Sequence, residues 1–206
     1  MAYTGPPARW ERMMKNGFWV FGYGSLLWNP GFVPEQSHRA VLTGFRRSFC
    51  MWSIHHRGTP SQPGLVLALD RAERGSCEGM ALKVAGRDAE LTLQELRRRE
   101  LVSSAYHEET VRIRIAGVGE VEAVAYIVDR NHRQYCRLRP EEQARIIASA
   151  SGGRGDNRDY LERTVARLNE LGIGDPDLDS LLGRVHAITA GAGHGRSELC
   201  PHDPPQ

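Results

Sequence analysis

The chain lacks the features that usually hold a small secreted or metal-bound domain together. Its four cysteines, Cys50, Cys77, Cys136 and Cys200, lie far apart with no Cys-x-x-Cys pair, which argues against a disulfide framework and a structural zinc site. No run is apolar enough for long enough to span a bilayer, and Met1 to Gly17 has no signal-peptide core. A reducing cytoplasm is the expected compartment, with no membrane partner. An excess of one charge is also missing: 27 Lys plus Arg stand against 25 Asp plus Glu, and the predominant arginines are spread along the chain. There is thus no general electrostatic case for a nucleic-acid partner. Internal repeats and interdomain linkers are absent, and 206 residues are enough for one domain with its own core.

What the chain does have is a set of short strand-like segments followed by helices. Strands are expected at 18–23, 41–49, 64–70 and 77–85, with Gly/Pro/Ser-rich loops between them. Thr110–Ile115 and Val121–Val128 flank Gly117-Val118-Gly119 and read as a hairpin. Helices are expected from Asp88 to about Leu101, over Pro140–Ala150, from Asp156 or Asn157 to about Leu171, and from Asp175-Pro176 to about Ile188. Met1–Asn16 reads as a loosely held, flexible segment, residues 17–190 as the domain, and 191–206 as a disordered tail. Strands first and helices late imply an α+β fold, without choosing between an open sheet and a closed barrel.

Two places carry chemistry. Phe18–Phe21 is a buried-strand run that ends in Gly22-Tyr23-Gly24. Glycines there let the chain turn sharply and a ligand approach the backbone. Ser25, Leu26 and Leu27 would then present N–H groups suited to a carboxylate. A tight turn between core elements is the plainer account of a lone Gly-x-Gly. The second place is Glu100. On a helical wheel Ala89, Leu93, Leu96 and Glu100 fall within roughly a 60° arc, so this carboxylate continues an apolar stripe. Charged groups seldom sit there unless paired or used, and desolvation would raise the acid's pKa. The competing account is a helix-end glutamate paired with Arg97 or Arg99.

Several look-alikes fall away. Gly22–Leu27 lacks the third glycine of a dinucleotide fingerprint, and Gly152-Gly153-Arg154-Gly155 has no following Gly-Lys-Ser/Thr for a P-loop. His107-Glu108-Glu109 has no second histidine at metal spacing. His55-His56-Arg57 reads, on its own, as a solvated loop. Tyr23, Tyr106 and Tyr160 have buried packing as the alternative to substrate contact.

Phe18–Trp28 as a whole resembles the opening signature of the gamma-glutamylcyclotransferases, in particular the ChaC-type branch that acts on glutathione. Arg46–Phe49 and His56–Pro60 with Pro63-Gly64 resemble its second block, and Arg99-Glu100 followed by Tyr106 its catalytic segment. Ser151-Gly152, Gly155, Asn157 and Tyr160-Leu161 resemble its C-terminal helical signature. The blocks occur in the family's order from about Phe18 to about Leu182. Ala105 stands where the family often has glycine, and the 101–105 linker is longer than in the animal enzymes.

The resemblance implies a small mixed β-barrel with surrounding helices and a pocket beside the glycine turn. It implies a lyase that cleaves glutathione to 5-oxoproline and cysteinylglycine, with no metal and no other cofactor. Glu100 would be the general acid/base. Gly22, Tyr23, Gly24, Ser25, Leu26, Leu27, Arg57, Tyr106 and Tyr160 would bind substrate, and the His55–Thr59 loop could face its cysteinyl-glycine half. A monomer or weak dimer is expected. Two alternatives stay open: a cyclotransferase for other gamma-glutamyl amines or dipeptides, and a catalytically silent binding or regulatory protein.

Overall fold

In the computed structural model the described residues are 13 and 15–194, with side chains described through residue 191. Strands β1 (Phe18–Gly22), β2 (Gln36–Ser53), β3 (Gly64–Val84), β4 (Tyr106–Ile115) and β5 (Gly119–Val128) close into a barrel in the order β1-β3-β2-β4-β5. Neighbours along that order are antiparallel, and β1 closes the ring by running parallel to β5 through Trp19↔Ala123 and Val20↔Val124. The expected α+β architecture, a small mixed barrel, is the one found.

Side-chain period explains the layers. In β4, Val111, Ile113 and Ile115 are buried while Arg112 and Arg114 are exposed, the alternation of a strand with one face inward. From Ala123 to Val128 every residue of β5 is buried, as a strand covered on both faces requires. One apolar cluster, with Phe21, Leu42, Leu69, Ile113 and Ile127, is drawn from the strands and the residue that follows β1. A second joins Phe18, Val20, Leu67 and Val124 to the helices. Those helices are α1 (Ala89–Glu100), α2 (Pro140–Ser149), α3 (Asn157–Glu170) and α4 (Pro176–His194).

Boundaries differ from expectation where pairing outruns hydrophobicity. The two segments expected at 64–70 and 77–85 are one strand, β3, and β2 extends well beyond 41–49 at both ends. Their ladder passes the polar stretch Ala72–Gly75 by a register shift opposite Gly44, which sits at φ 83°; backbone pairing needs no apolar side chain, and a bulge absorbs the extra residues. The hairpin at Gly117–Gly119 forms as read, with both glycines at positive φ (78° and 105°). Strand β4 starts earlier, at Tyr106. The chain at Gly152–Gly155 folds into a minimal hairpin, β6 (Ser151–Gly152) with β7 (Gly155–Asp156). Helix α4 runs on to His194, so residues 191–194 are helical rather than part of a disordered tail, since a glycine weakens a helix without ending it. The remainder of that expected tail lies outside the described residues. So does most of the expected flexible N-terminal segment, of which residues 13, 15 and 16 are helical.

Three backbone arrangements position the site. Asn157, fully buried at the start of α3, clasps the first residue of the β3 core: Leu65 N–H donates to its Oδ1 at 2.6 Å and its Nδ2 donates to the Leu65 carbonyl at 2.7 Å. Gly58, Gly64 and Gly152 stack main chain on main chain. A Cβ on Gly58 would stand 2.0 Å from Gly64 N, and one on Gly152 would stand 2.4 Å from Gly58 N. Finally Arg47, its side chain 3% exposed, donates to Asp175 Oδ2 and to the Tyr23 carbonyl, both at 2.8 Å. It ties the chain after β1 to the cap of α4, where Leu178 N–H donates to Asp175 Oδ1.

Candidate active site

A cavity of about 250 Å³ opens where the end of β1, the end of α1 and the loop after β2 meet. Its floor begins with the glycine turn. After β1 the chain enters a 3-10 turn, Ser25–Leu27, in which Leu27 N–H donates to the Gly24 carbonyl at 2.9 Å. The N–H groups of Ser25 and Leu26 head that turn, as the first donors of any helical turn do. Gly24 faces the Tyr160 hydroxyl, 3.6 Å from where its Cβ would stand.

Glu100 is the last residue of α1. Ala89, Leu93 and Leu96 on the same face are 0–2% exposed, so the helix is held by that stripe and carries the carboxylate to the cavity wall. The side chain is 18% exposed, and Oε1 is buried without a hydrogen-bond partner, although Arg99 Nε stands 3.0 Å away at ion-pair distance. Burial raises the Glu100 pKa above the ordinary carboxylate value of 4.5, opposed by Arg99 and, from across the cavity, by Arg154. Glu100 and Arg99 are therefore paired, as the plainer account of a helix-end glutamate required, and the pair itself lies in the cavity. Arg97 makes a separate two-pronged pair with Glu108, at 2.8 and 2.6 Å.

Four tyrosines surround this carboxylate. Tyr23 is 7% exposed and donates to the Tyr126 carbonyl at 2.8 Å, and Tyr106 donates to the Leu67 carbonyl at 3.3 Å. The Tyr160 ring meets Phe49 edge-on with centroids 5.9 Å apart. Burial raises the pKa of all of them, that of Tyr160 to about 12, and the Glu100 charge adds to the effect. The phenols thus stay protonated and can act as neutral hydrogen-bond donors.

Of the residues singled out in the sequence, Tyr23, Gly24, Ser25, Leu26, Arg57, Glu100, Tyr106 and Tyr160 all line the cavity. Gly22 and Leu27 stand behind it. Gly22 ends β1, and a Cβ there would press on Leu26 at 3.3 Å. Leu27 is core, with its N–H closed onto Gly24 and its carbonyl taking Arg167 Nε at 3.0 Å. The expectation that the Leu27 N–H would be presented to a ligand is corrected accordingly: the turn uses it to close. Arg57 is 6% exposed, donates to the Asp156 carbonyl at 3.1 Å and lies 5.4 Å from the Tyr160 ring centroid. Arg57 is thus folded onto the cavity, while His55 and His56 before it are exposed, as a solvated loop would have them.

Tyr126 and Gln134 also line the cavity, and no sequence signal pointed to them. Tyr126 sits in an apolar run that reads as core. Gln134 follows an irregular segment and reaches the cavity because its main chain pairs with Trp52, whose N–H donates to the Gln134 carbonyl at 2.8 Å. Arg99, weighed only as a partner for Glu100, also donates to Ser25 Oγ at 2.7 Å and to the Asn29 carbonyl at 2.6 Å. A signal for it did exist in its position beside Glu100. Among the described residues no group of three His, Cys, Asp or Glu side chains is placed to hold a metal ion, and no helix is long and apolar enough to cross a membrane.

Such a site, with a desolvated carboxylate, the leading N–H groups of a helical turn, neutral phenols and arginines, suits binding of a small carboxylate-bearing molecule and proton transfer within it. Residues 18–188 match the family model of ChaC-like proteins. A glutathione-specific gamma-glutamylcyclotransferase of Escherichia coli (strain K12) is 35% identical over 173 residues, covering 84% of this chain and 74% of that protein. Gamma-glutamylcyclotransferase 2-3 of Arabidopsis thaliana is 34% identical over 178 residues, covering 82% and 89%. In fold the chain is similar to the crystal structure of a yeast gamma-glutamyl cyclotransferase specific to glutathione, with a TM-score of 0.75 at 23% identity over 82% of this chain and 96% of that one. The chain belongs to the ChaC-like family.

Proposed function

We propose that this protein is a glutathione-specific gamma-glutamylcyclotransferase, releasing 5-oxoproline and cysteinylglycine. The observation that carries the reading is the Glu100 carboxylate, largely buried beside the glycine turn, its Oε1 at ion-pair distance from Arg99 but making no hydrogen bond. A gamma-glutamyl amide contains its own nucleophile. Its α-amine closes a five-membered ring on the γ-carbonyl once the chain is curled, so positioning supplies much of the rate. The C–N bond to the leaving amine breaks as the ring C–N bond forms, and no water enters the net reaction.

Proton traffic is what remains. Glu100 takes a proton from the ammonium and delivers one to the departing nitrogen. A raised pKa brings the carboxylate closer to both tasks. The N–H groups of Ser25 and Leu26 bind the glutamyl moiety at its carboxylate or at the developing oxyanion, with Gly24 leaving room for them. Tyr23, Tyr106 and Tyr160 shape the pocket around the curled chain, and Arg57 faces the cysteinyl-glycine half. Gly22 and Leu27 support the turn from behind. This reading requires no metal or organic cofactor, and takes glutathione as the small-molecule partner. The scattered cysteines accord with a reducing cytoplasm, and a monomer or weak dimer is the assembly this reading carries.

The test is a substrate panel assayed for 5-oxoproline: glutathione, gamma-glutamyl-alanine, gamma-glutamyl-lysine and glutathione with a blocked α-amine. Glutathione is expected to react fastest and the blocked peptide not at all. Equal rates on the three unblocked substrates would defeat the glutathione assignment, and turnover of the blocked peptide would mean hydrolysis.

A further inference from the structure

Two guanidinium groups that line the cavity have no anion. Arg57 is buried against the Tyr160 ring and the Asp156 carbonyl. Arg154 reaches the cavity wall from the β6–β7 hairpin. Among the described residues neither has a carboxylate at ion-pair distance, whereas the third cavity arginine, Arg99, is paired with Glu100. Asp159 acts on Arg57 only at longer range. The neighbouring His56 cannot supply the missing charge, since an imidazole is neutral or cationic.

The backbone that carries Arg154 is placed with care although its side chain is exposed. Gly153 N–H donates to the His55 carbonyl and Arg154 N–H to the His56 carbonyl, both at 2.9 Å. Gly152 lies against Gly58 with no room for a Cβ. The hairpin is thus strapped to the loop that carries Arg57, and the two cations arrive at one rim from two different segments. A buried cation calls for a counter-charge, and a guanidinium suits a carboxylate in particular.

We propose that Arg57 and Arg154 form a carboxylate subsite that takes the C-terminal carboxylate of the substrate's leaving half. This rests on the cyclotransferase reading and deepens it: the preferred substrates are gamma-glutamyl peptides whose leaving part ends in a free carboxylate at this rim. Arg154 is the specificity-determining member open to test, because its side chain bears no structural load.

The experiment is a two-by-two comparison of kcat and KM, with wild type and Arg154→Met assayed on glutathione and on its C-terminal amide. In wild type, amidation is expected to lower kcat/KM about tenfold, mainly through KM. Arg154→Met is expected to lower kcat/KM for glutathione by a similar factor but to cost the amide less than about twofold, with Arg154→Lys recovering part of the loss on glutathione. Because Arg154 also acts electrostatically on Glu100, its removal changes the base equally for both peptides, and the ratio between them cancels that effect. Equal losses on both peptides, or a wild type indifferent to amidation, would overturn the subsite. If wild type forms no 5-oxoproline at all, the cyclotransferase reading fails. Calorimetric binding of the same two peptides then decides the subsite separately, and equal affinities would reject it.

Discussion

Arg99 stands between Glu100 and Ser25, with Nε 3.0 Å from the carboxylate and one terminal nitrogen 2.7 Å from the hydroxyl. One guanidinium therefore joins the candidate base at the end of α1 to the turn that follows β1. It also holds down the Glu100 pKa that burial would otherwise raise further.

Removing that cation should move the pH profile. In Arg99→Met the Glu100 pKa rises, so the carboxylate is protonated over a wider acidic range and the acid limb of kcat/KM shifts to higher pH. The shift distinguishes an electrostatic role from loss of the Ser25 and Asn29 contacts, which would lower the rate at every pH alike. A profile that keeps its shape would remove Arg99 from any role through Glu100.

Glu100→Gln should abolish turnover while keeping the fold. The amide retains the shape but cannot accept a proton, and loss of a general base typically costs about 10²–10⁴ in rate. A well-folded variant with most of its activity would refute the assignment.

The same variant should be more stable than wild type near neutrality. With the folded pKa above the unfolded one, the native state binds more protons between the two values, so wild-type stability falls as pH rises through that window. The gain in Tm of Glu100→Gln should open above about pH 4.5, the ordinary value, and vanish below it. A difference independent of pH would mean that the carboxylate is not desolvated as described.

Gly152→Ala should weaken the protein because its Cβ would collide with main-chain atoms of Gly58 at 2.4 and 2.6 Å. Overpacking of this kind costs about 1–3 kcal/mol. Gly174→Ala, where nothing lies within 4 Å, should stay within about 0.5 kcal/mol of wild type. Chemical denaturation of the pair checks both, and equal stability would show that the hairpin is not pressed against the loop.

Asn157→Leu should cost about 1–3 kcal/mol for each of the two Leu65 backbone groups left unpaired. Both are buried, so no water replaces the lost amide. A denaturation midpoint unchanged from wild type would show that the clasp adds nothing.

The sequence by itself determined the elements whose pattern is local. The apolar stripe Ala89, Leu93, Leu96 foretold which face of α1 is buried, and hence that Glu100 leaves the solvent. The Gly117–Gly119 turn foretold the β4–β5 hairpin, and Pro140 and Asp175-Pro176 the starts of two helices. In each case the cause, a residue's period, cap or backbone freedom, lies within a few positions of its effect. Only the tertiary structure decided that β3 runs on through Ala72–Gly75, because strand pairing is a property of two segments and tolerates polar side chains. It alone brought Tyr126, Gln134 and Arg154 to one cavity, and turned Arg99 from a helix-end charge into a bridge to Ser25. Such residues meet through barrel closure and through the glycine contacts of residues 58, 64 and 152, which join parts of the chain nearly a hundred residues apart and leave no periodic trace along it.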